Sequence, residues 1–507
     1  MQLVAYGAQD IYLTGNPQIT FFKVVYRRHT NFSMEAIAQT FNGTAALGSD
    51  VSATISRNGD LVHRLYLQHS STYTHAAAQN ADNNVSLVER YGESIIKECE
   101  LEIGGQMIDK HTSMWNRVWS DLTEENPSGH FGKDGAAFGA NVTTAGNGTL
   151  YQKMTGSGLG LNSDDANNAN MLNGADGAGS VNGITYKVGG GGGTPASIAV
   201  SNIMMPLNFW FCRNPGLALP LIALQYHEVK VKMTFETIGN LVRQVTGTAD
   251  FADSLNATTG TVAVTNSDFT LFADYIYLDT DERRRFAQVS HEYLIEQLQY
   301  SDTIINQADV TIDLNFNHPV KELVWCMRNE TSTRGAAGVQ GRCQTTVGTA
   351  IGDCSAGPVS VDGFGGNFQL KLNGHDRFAE RDARYFTRVQ VWEHHSGYGS
   401  VPTRAIDGTG GGNENDPETV KVHGVDAIAV YSFALKPEEH QPSGTCNFSR
   451  IDNAQLTGNA LTVETTFVPQ SAVGVVNESA NVRLTIFAVN YNVLRIMSGM
   501  GGLAYSN

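Results

Sequence analysis

The chain has 507 residues, more than one hydrophobic core usually organises, so two domains are expected. Only 17% of the residues are charged and 53 are glycine, a composition that favours turn-rich β structure over helical bundles. The net charge of −16 argues against direct contact with nucleic acid, since tight basic clusters occur only at Arg27–Arg28 and Arg283–Arg285.

The N-terminal sequence MQLVAYGAQDIYLTG lacks the basic and apolar regions of a secretion signal. The apolar run VDAIAVYSFAL is about half as long as a bilayer requires. We therefore expect a soluble, unsecreted chain. The cysteines form no CxxC pair and are too sparse for a disulfide framework, which favours free thiols and disfavours structural zinc. They lie at positions 99, 212, 326, 343, 354 and 446.

Short segments in which apolar and polar residues alternate predict strands along the chain. In Val229–Phe235, the valines, the methionine and the phenylalanine share one face, and the lysines and the threonine share the other. The predicted strands are, in chain order, 61–68, 95–105, 229–235, 272–279, 310–316, 322–327, 368–374, 428–435, 461–467 and 482–491. Short strands separated by turns predict an all-β fold built from sandwiches.

Three polar stretches between these segments predict loops. The longest, residues 129–193, is rich in glycine and asparagine and has few large apolar side chains, which predicts a long surface insertion. Shorter stretches of the same kind occupy residues 331–366 and 407–418.

The two halves of the sequence resemble each other in three places, in the same order. The similar pairs are residues 58–66 with 317–325, residues 229–235 with 461–467, and residues 273–286 with 488–497. This order predicts a duplicated β domain, with the two copies meeting near residues 288–295.

Histidines and acidic residues come together without metal-binding spacing. Neither His227 nor His291 has a second histidine four residues later, as an HExxH zinc site requires. His394 and His395 are adjacent, so on a strand they would point to opposite faces. We expect these histidines to be ordinary loop or strand-end residues. The clusters occupy residues 226–230, 290–296 and 392–399.

Other motifs with chemical potential are weak. The glycine-rich segments at 156–160 and 189–193 have no preceding apolar strand that feeds a helix, so flexible loops are a better interpretation than phosphate-binding loops. The pattern Asn-x-Ser/Thr recurs along the chain, and Asn141 and Asn147 in the insertion are the first positions to test for glycosylation.

The stretch ALKPEEHQPSGTCNFSRIDN, residues 434–453, places a histidine and a cysteine close together in sequence. Pro437, Pro442 and Gly444 predict a turn between two strands. A nucleophilic Cys446 would need a lowered pKa and His440 within hydrogen-bonding reach. A hydrolase that uses these two residues therefore stays open as an alternative to a structural turn.

Several motifs carry a resemblance to a known family, and they occur in family order through both halves. They are GAQDIYLTGNPQITFFKVVYRRHTNF (7–32), YLDTDERRRFAQVSHEYLIEQ (277–297), NHPVKELVW (317–325), LNGHDRFAERDARYF (372–386) and FALKPEEHQPSGTCNFSRIDN (433–453). On these motifs the chain resembles the major capsid proteins of the nucleocytoplasmic large DNA viruses.

The resemblance implies a double jelly roll, which is two consecutive eight-stranded jelly-roll sandwiches with long loop insertions. It also implies a homotrimer of pseudo-hexagonal outline that tiles the icosahedral shell of a virion. We place an N-terminal arm at 1–25, the first jelly roll at 26–290 with the insertion at about 129–195, and the second jelly roll at 291–507.

The expected partners are other copies of the chain, minor capsid proteins and penton proteins, close to an internal membrane. Assembly is expected in the host cytoplasm, in a virus factory. The resemblance implies no enzyme, so no catalytic, cofactor-binding or metal-binding residue is assigned. The alternatives are a β-sandwich carbohydrate-binding or adhesion protein, and a hydrolase that uses Cys446 and His440.

Overall fold

The computed structural model describes residues 29–74, 84–88, 90–124, 150–156, 179–181, 184–189, 197–245, 262–329, 358–359, 361, 363–397, 399, 401–406, 420–464, 473–475 and 482–505. The strands of the described residues are β1 Phe32–Gln39, β2 Phe41–Asn42, β3 Asp50–Thr54, β4 Leu61–Thr74, β5 Asn84–Leu87, β6 Ile96–Ile103, β7 Gln106–Thr112, β8 Gly179–Val181, β9 Ile184–Gly189, β10 Ser197–Pro206, β11 Leu219–Pro220, β12 Val229–Phe235, β13 Val242–Val245, β14 Ala263–Leu278, β15 His291–Ile305, β16 Val310–Asp313, β17 Pro319–Asn329, β18 Phe364–Leu372, β19 His375–Asp376, β20 Arg381–Asp382, β21 Val401–Ile406, β22 Val420–Val425, β23 Ile428–Ser432, β24 Cys446–Asn447, β25 Ala454–Glu464, β26 Val473–Val475, β27 Val482–Met497 and β28 Met500–Leu503.

Short helices connect these strands. They are α1 Tyr91–Ile95, α2 Ser113–Thr123, α3 Leu150–Thr155, α4 Trp210–Arg213, α5 Ile238–Leu241, α6 Thr280–Gln288 and α7 Gln390–His394. Single helical turns of 3-10 type lie at Pro215–Leu217 and Phe448–Arg450, and a π-helical turn at Tyr385–Val389 leads directly into α7.

The first sandwich consists of two antiparallel sheets. One sheet has the strand order β1, β14, β4, β10, with β11 paired to β4, and the other has the order β2, β3, β12, β6, β7. Strand β12 has the predicted bounds, and its residues are alternately buried and more exposed along its whole length. The alternation places one face of each sheet in a shared apolar core.

The second sandwich repeats this arrangement. Its sheets have the orders β15, β27, β17, β23 and β16, β25, β18, with β19 and β20 paired to β18. Each of these strands has the same position in the strand order as one strand of the first sandwich. In this comparison β4 matches β17, β12 matches β25 and β14 matches β27. All three sequence similarities overlap these matched strands, which confirms the duplication. The strand pairing shifts the first similarity by one residue, because Phe272 pairs with Tyr66 and its match Phe487 pairs with Val324 rather than with Trp325. Both sandwiches are jelly rolls, and the chain is all-β as predicted.

Each sandwich has its own apolar core. In the second, Trp325 lies with its ring 5.4 Å from that of Phe368 and 5.2 Å from that of Phe386. Fully burying a large apolar side chain contributes about 1.5–3 kcal/mol. Strand residues of the second sandwich also join the core of the first, as Ile295 and Leu494 do. The two cores therefore meet at a shared boundary.

Part of the predicted insertion is not a surface loop. Residues 150–155 form α3, in which Tyr151 is 9% exposed and Thr155 is fully buried. Strands β8 and β9 also lie within the insertion, and together with β5 and β13 they form a small separate sheet. The insertion is less uniform than its composition indicated, because a few apolar residues within it are sufficient to order short elements.

Other predictions lie outside the described residues. These are the N-terminal arm at 1–25, the loop at 407–418, both proposed glycosylation sites at Asn141 and Asn147, and most of the loop at 331–366.

Candidate functional site: the junction between the two sandwiches

Helix α2 belongs to the first sandwich and lies on the second. The helix begins after Thr112, whose Oγ1 accepts a hydrogen bond from the backbone N–H of Trp115 at 3.3 Å. Trp115, Trp119 and Leu122 recur at helical spacing and are almost fully buried. Their shared face packs on the outer surface of the sheet formed by β15, β27, β17 and β23.

That sheet is therefore buried on both faces. On β17, Trp325 points into the second core, whereas Val324 and Cys326 point outward beneath α2. On β27, the ring of Phe487 lies 5.1 Å from the ring of Trp115. Close packing of aromatic side chains on an apolar sheet fixes the two sandwiches relative to each other.

A buried ionic cluster lies at the same junction. We call it the Glu296 cluster, and it consists of Glu296, Lys321, Arg213 and His440. Glu296 Oε1 is 2.9 Å from Lys321 Nζ and 3.5 Å from His440 Nδ1, and Glu296 Oε2 is 2.9 Å from Arg213 Nη2. Arg213 ends α4 in the first sandwich, and the other three residues belong to the second, so the cluster links the two.

The cluster keeps its carboxylate ionised. Burial by itself would raise the pKa of Glu296, but Arg213, His440 and Lys321 together lower this pKa to about 2. Burial also lowers the pKa of Lys321, and the attraction of Glu296 opposes this shift. The guanidinium of Arg213 lies 4.8 Å from the ring centre of Trp119, which joins the cluster to the packing of α2.

A β-bulge directs Lys321 into the cluster. The pairing of β17 with β27 shifts register between Val320 and Glu322, which leaves Lys321 as the extra residue. A bulge of this kind reorients the side chain of the unpaired residue. The Lys321 carbonyl instead accepts a hydrogen bond from the N–H of Phe433 at 2.9 Å. A local irregularity of the strand thus creates a place for a lysine that is fully buried.

A second buried ionic site surrounds His395, at the end of α7. Its Nε2 lies 3.1 Å from Glu322 Oε2, and its Nδ1 lies 3.1 Å from Glu438 Oε1. Burial by itself would lower the pKa of His395, but Glu322 and Glu438 raise this pKa to about 9. The imidazole is therefore charged at neutral pH and separates two carboxylates that would otherwise repel each other.

The chain after His395 attaches this site to α2. Gly397 N–H donates to the carbonyl of Leu122 at 2.7 Å, and Gly399 N–H donates to the carbonyl of Asp121 at 2.9 Å. A Cβ at position 397 would lie 2.5 Å from the Asp121 carbonyl oxygen, so this close approach requires glycine.

The His395 site makes stability depend on pH. Because the pKa in the folded chain is raised from 6.5 to about 9, the stabilisation is complete below pH 6.5 and is lost as pH rises through about 9. We expect the free energy of unfolding to fall by up to about 3 kcal/mol over that window. Urea titrations across this range measure the slope, which His395→Gln is expected to remove. An identical slope in this variant would contradict the assignment.

A third buried network joins α1, α2 and α3. Arg90 contacts Asp121 and lies 3.0 Å from Glu93 Oε1. The Tyr151 hydroxyl donates to the same Glu93 oxygen at 3.2 Å. Arg90 has a positive φ of 58°, an unusual conformation for a residue other than glycine, and its buried ion pairs stabilise it there. The network supports α2 from the side of the first sandwich.

Comparisons with known proteins identify the family to which this chain belongs. A family model described as major capsid protein N-terminus matches residues 20–279. A second, described as large eukaryotic DNA virus major capsid protein, matches residues 282–407 and 421–502. The chain belongs to the major capsid protein family of the large eukaryotic DNA viruses. The resemblance inferred from its motifs is confirmed.

Curated relatives support this membership along the whole capsid protein. The chain is 45% identical over 509 residues to the major capsid protein of Pyramimonas orientalis virus, covering 100% of this chain and 99% of the relative. It is 38% identical over 537 residues to the major capsid protein of Paramecium bursaria Chlorella virus 1, with the same coverage.

Solved structures share the fold of this capsid protein. A quasi-atomic model of the PBCV-1 virus capsid matches with a TM-score of 0.62 at 34% identity, covering 96% of this chain and 100% of that one. The Faustovirus major capsid protein matches with a TM-score of 0.60 at 13% identity, covering 97% and 94% of the two chains, which supports the fold alone. The double jelly roll predicted from the resemblance is confirmed.

In this capsid protein, Cys446 and His440 have different partners. Cys446 lies in β24, paired with Val320, and burial raises the pKa of its thiol, which is the opposite of what a nucleophile needs. His440 instead faces Glu296. The predicted turn is present between them, with Gly444 at a φ of 144°.

Other sequence features have mixed outcomes. The ring nitrogens of His227 and His291 lie 2.8 Å from the carbonyls of Gly501 and Phe286, as expected of residues near strand ends. The same expectation is wrong for His395, because two carboxylates that are distant in the sequence, those of Glu322 and Glu438, lie 3.1 Å from its ring nitrogens.

Among the described residues, no group of three His, Cys, Asp or Glu side chains could hold a metal ion. No helix in that part of the chain is long and apolar enough to cross a membrane.

Helix α2 is not among the elements predicted above, although its residues have the spacing of an amphipathic helix. Trp115, Val118, Trp119 and Leu122 follow the helical spacing of an apolar face, directly after a threonine that can cap a helix. The Glu296 cluster has no comparable signal, because its members lie far apart in the sequence.

Proposed function

We propose that the chain is the repeating tile of an icosahedral capsid and acts as a homotrimer of pseudo-hexagonal outline. The duplicated strand order carries this proposal, because three copies of a chain with two similar sandwiches supply six similar units around one ring. The α2 contact and the Glu296 cluster support it, since they make each chain one rigid unit.

The proposal includes the division of the chain. An N-terminal arm at 1–25 precedes a first jelly roll at 26–290, and a second jelly roll follows at 291–507. The short α6, followed at once by β15, is the connection between them.

The proposed partners are neighbouring trimers, minor capsid proteins and penton proteins, in a shell close to an internal membrane. Assembly takes place in a cytoplasmic virus factory. Contacts between trimers that are smaller and more polar than those within a trimer allow reversible growth, and their number stabilises the finished shell.

Light scattering after size-exclusion chromatography tests the oligomer. We expect three times the chain mass of 54.7 kDa, and hexagonal particles in electron micrographs. A stable monomer at micromolar concentration would overturn the proposal.

We also propose that the chain has no catalytic activity. The raised pKa of Cys446 and the separate partner of His440 support this. We expect Cys446→Ser to form trimers as the unchanged chain does, with an unfolding free energy within about 1 kcal/mol of it. Hydrolysis of ester or peptide substrates that requires the thiol would contradict this.

A further inference from the structure

Each sandwich has a helix directly after the same strand. Strand β7 pairs with β6 and is followed by α2, and strand β20 pairs with the matched strand β18 and is followed by the π-helical turn and α7. The two helices therefore occupy equivalent places in the duplicated fold. Helix α2 has a complete binding surface on the neighbouring sandwich.

Helix α7 has an apolar face without such a surface in the described part of the chain. Gln390 is buried against its own sandwich, and Val391 is buried in the apolar cluster that α2 also joins, but Trp392 is 80% exposed and Val389 is 41% exposed. Val389 is the last residue of the π-helical turn that leads into α7, and it lies three residues before Trp392, so the two share one side of this helical segment. Tryptophan is among the residues that most often carry the binding energy of protein interfaces, so this exposed side is a candidate interaction site.

The first sandwich has a matching sheet face. Its outward-facing residues include Phe32, which is 55% exposed, and Met34, which is 50% exposed. Tyr66 and Phe272 stack with ring centres 5.3 Å apart on the same face and are half-buried. Among the described residues, Phe286 of α6 covers the end of this face near Ile276.

The repeat identifies the point of contact. Residues 273–286 match 488–497, so Phe272 corresponds to Phe487, the residue against which Trp115 packs. Phe272 pairs with Tyr66 on the matched strand β4, and Phe487 pairs with Val324 on β17. Within the part of the chain that the structure describes, the same position of the sheet is thus covered in the second sandwich and open in the first.

We propose that α7 of one copy packs on this sheet face of a second copy, with Trp392 against Phe272 and Tyr66. This contact repeats between two chains the packing of helix on sheet that α2 makes within one chain. The inference rests on the proposed homotrimer. Each chain then offers a helix on its second sandwich and a sheet face on its first, a head-to-tail contact that closes into a ring.

Photocrosslinking tests the contact in the full chain. Trp392→p-benzoylphenylalanine keeps an aromatic group at the site, and irradiation of trimers mixed from isotopically light and heavy chains distinguishes links between copies. We expect peptides that contain β1, β4 or β14 of another copy. The same probe at the exposed Tyr226 is the control and is expected to give other peptides.

Substitution gives an independent measure. Trp392→Glu is expected to weaken the trimer, so that the protein concentration below which trimers dissociate rises by about 30-fold or more. The far-UV circular dichroism and the unfolding of the monomer are expected to remain unchanged, because the side chain is exposed. Met34→Glu, on the opposite side of the contact, is expected to act in the same direction.

The outcomes separate the two proposals. Trimers whose crosslinks join position 392 to a different surface, or to the chain's own residues 1–28, would overturn this contact and leave the trimer intact. Trimers that are unaffected by Trp392→Glu would also overturn it. A monomeric unchanged chain would instead overturn the proposed function.

Discussion

Glu296→Met is expected to lower the free energy of unfolding by about 3–5 kcal/mol, the cost of leaving a buried ion without its partner. The substitution preserves the approximate length of the side chain but removes the anion that Lys321 and Arg213 share. Lys321 is fully buried, so water cannot replace the lost interaction. Chemical denaturation at neutral pH measures the loss.

Two variants test the reason for this loss. Glu439→Met makes the same change in an exposed pair with Lys436, whose atoms are 2.8 Å apart, and is expected to cost no more than about 1 kcal/mol. Combining Glu296→Met with Lys321→Met is expected to restore part of the stability, because the unpaired buried cation is then absent. A double variant less stable than Glu296→Met would contradict this explanation.

Trp115→Ala is expected to destabilise the chain by about 3–5 kcal/mol, because it opens a cavity between α2 and the second sandwich. The side chain is 4% exposed, and its ring packs against Phe487. Since α2 holds the sandwiches together, we also expect unfolding to separate into two transitions. Differential scanning calorimetry measures both effects.

The matched control for Trp115→Ala is Tyr226→Ala, which removes an aromatic side chain that is 75% exposed. This control is expected to change stability by no more than about 0.5 kcal/mol and to leave one transition. If Trp115→Ala unfolds in a single transition with little loss, α2 does not couple the sandwiches.

The amino-acid sequence by itself determined ten of the strands, the repeat and the family. Alternation in Val229–Phe235 predicted both the bounds and the buried face of a strand, because side chains of a strand alternate between its two sides. Pro437 and Gly444 predicted the turn for an equally local reason, the backbone conformations that these residues allow. The spacing of Trp115 and Trp119 would have predicted α2 by the same logic.

Only the tertiary structure decided what those faces and charges contact. Spacing shows that a helix has an apolar face but does not show which sheet covers it. The pairing of Glu296 with Lys321 and Arg213 depends on a β-bulge and on two sandwiches meeting, and neither leaves a local pattern. His395 became a buried cation for the same reason: its pKa is set by carboxylates that the fold, not the sequence order, brings to it.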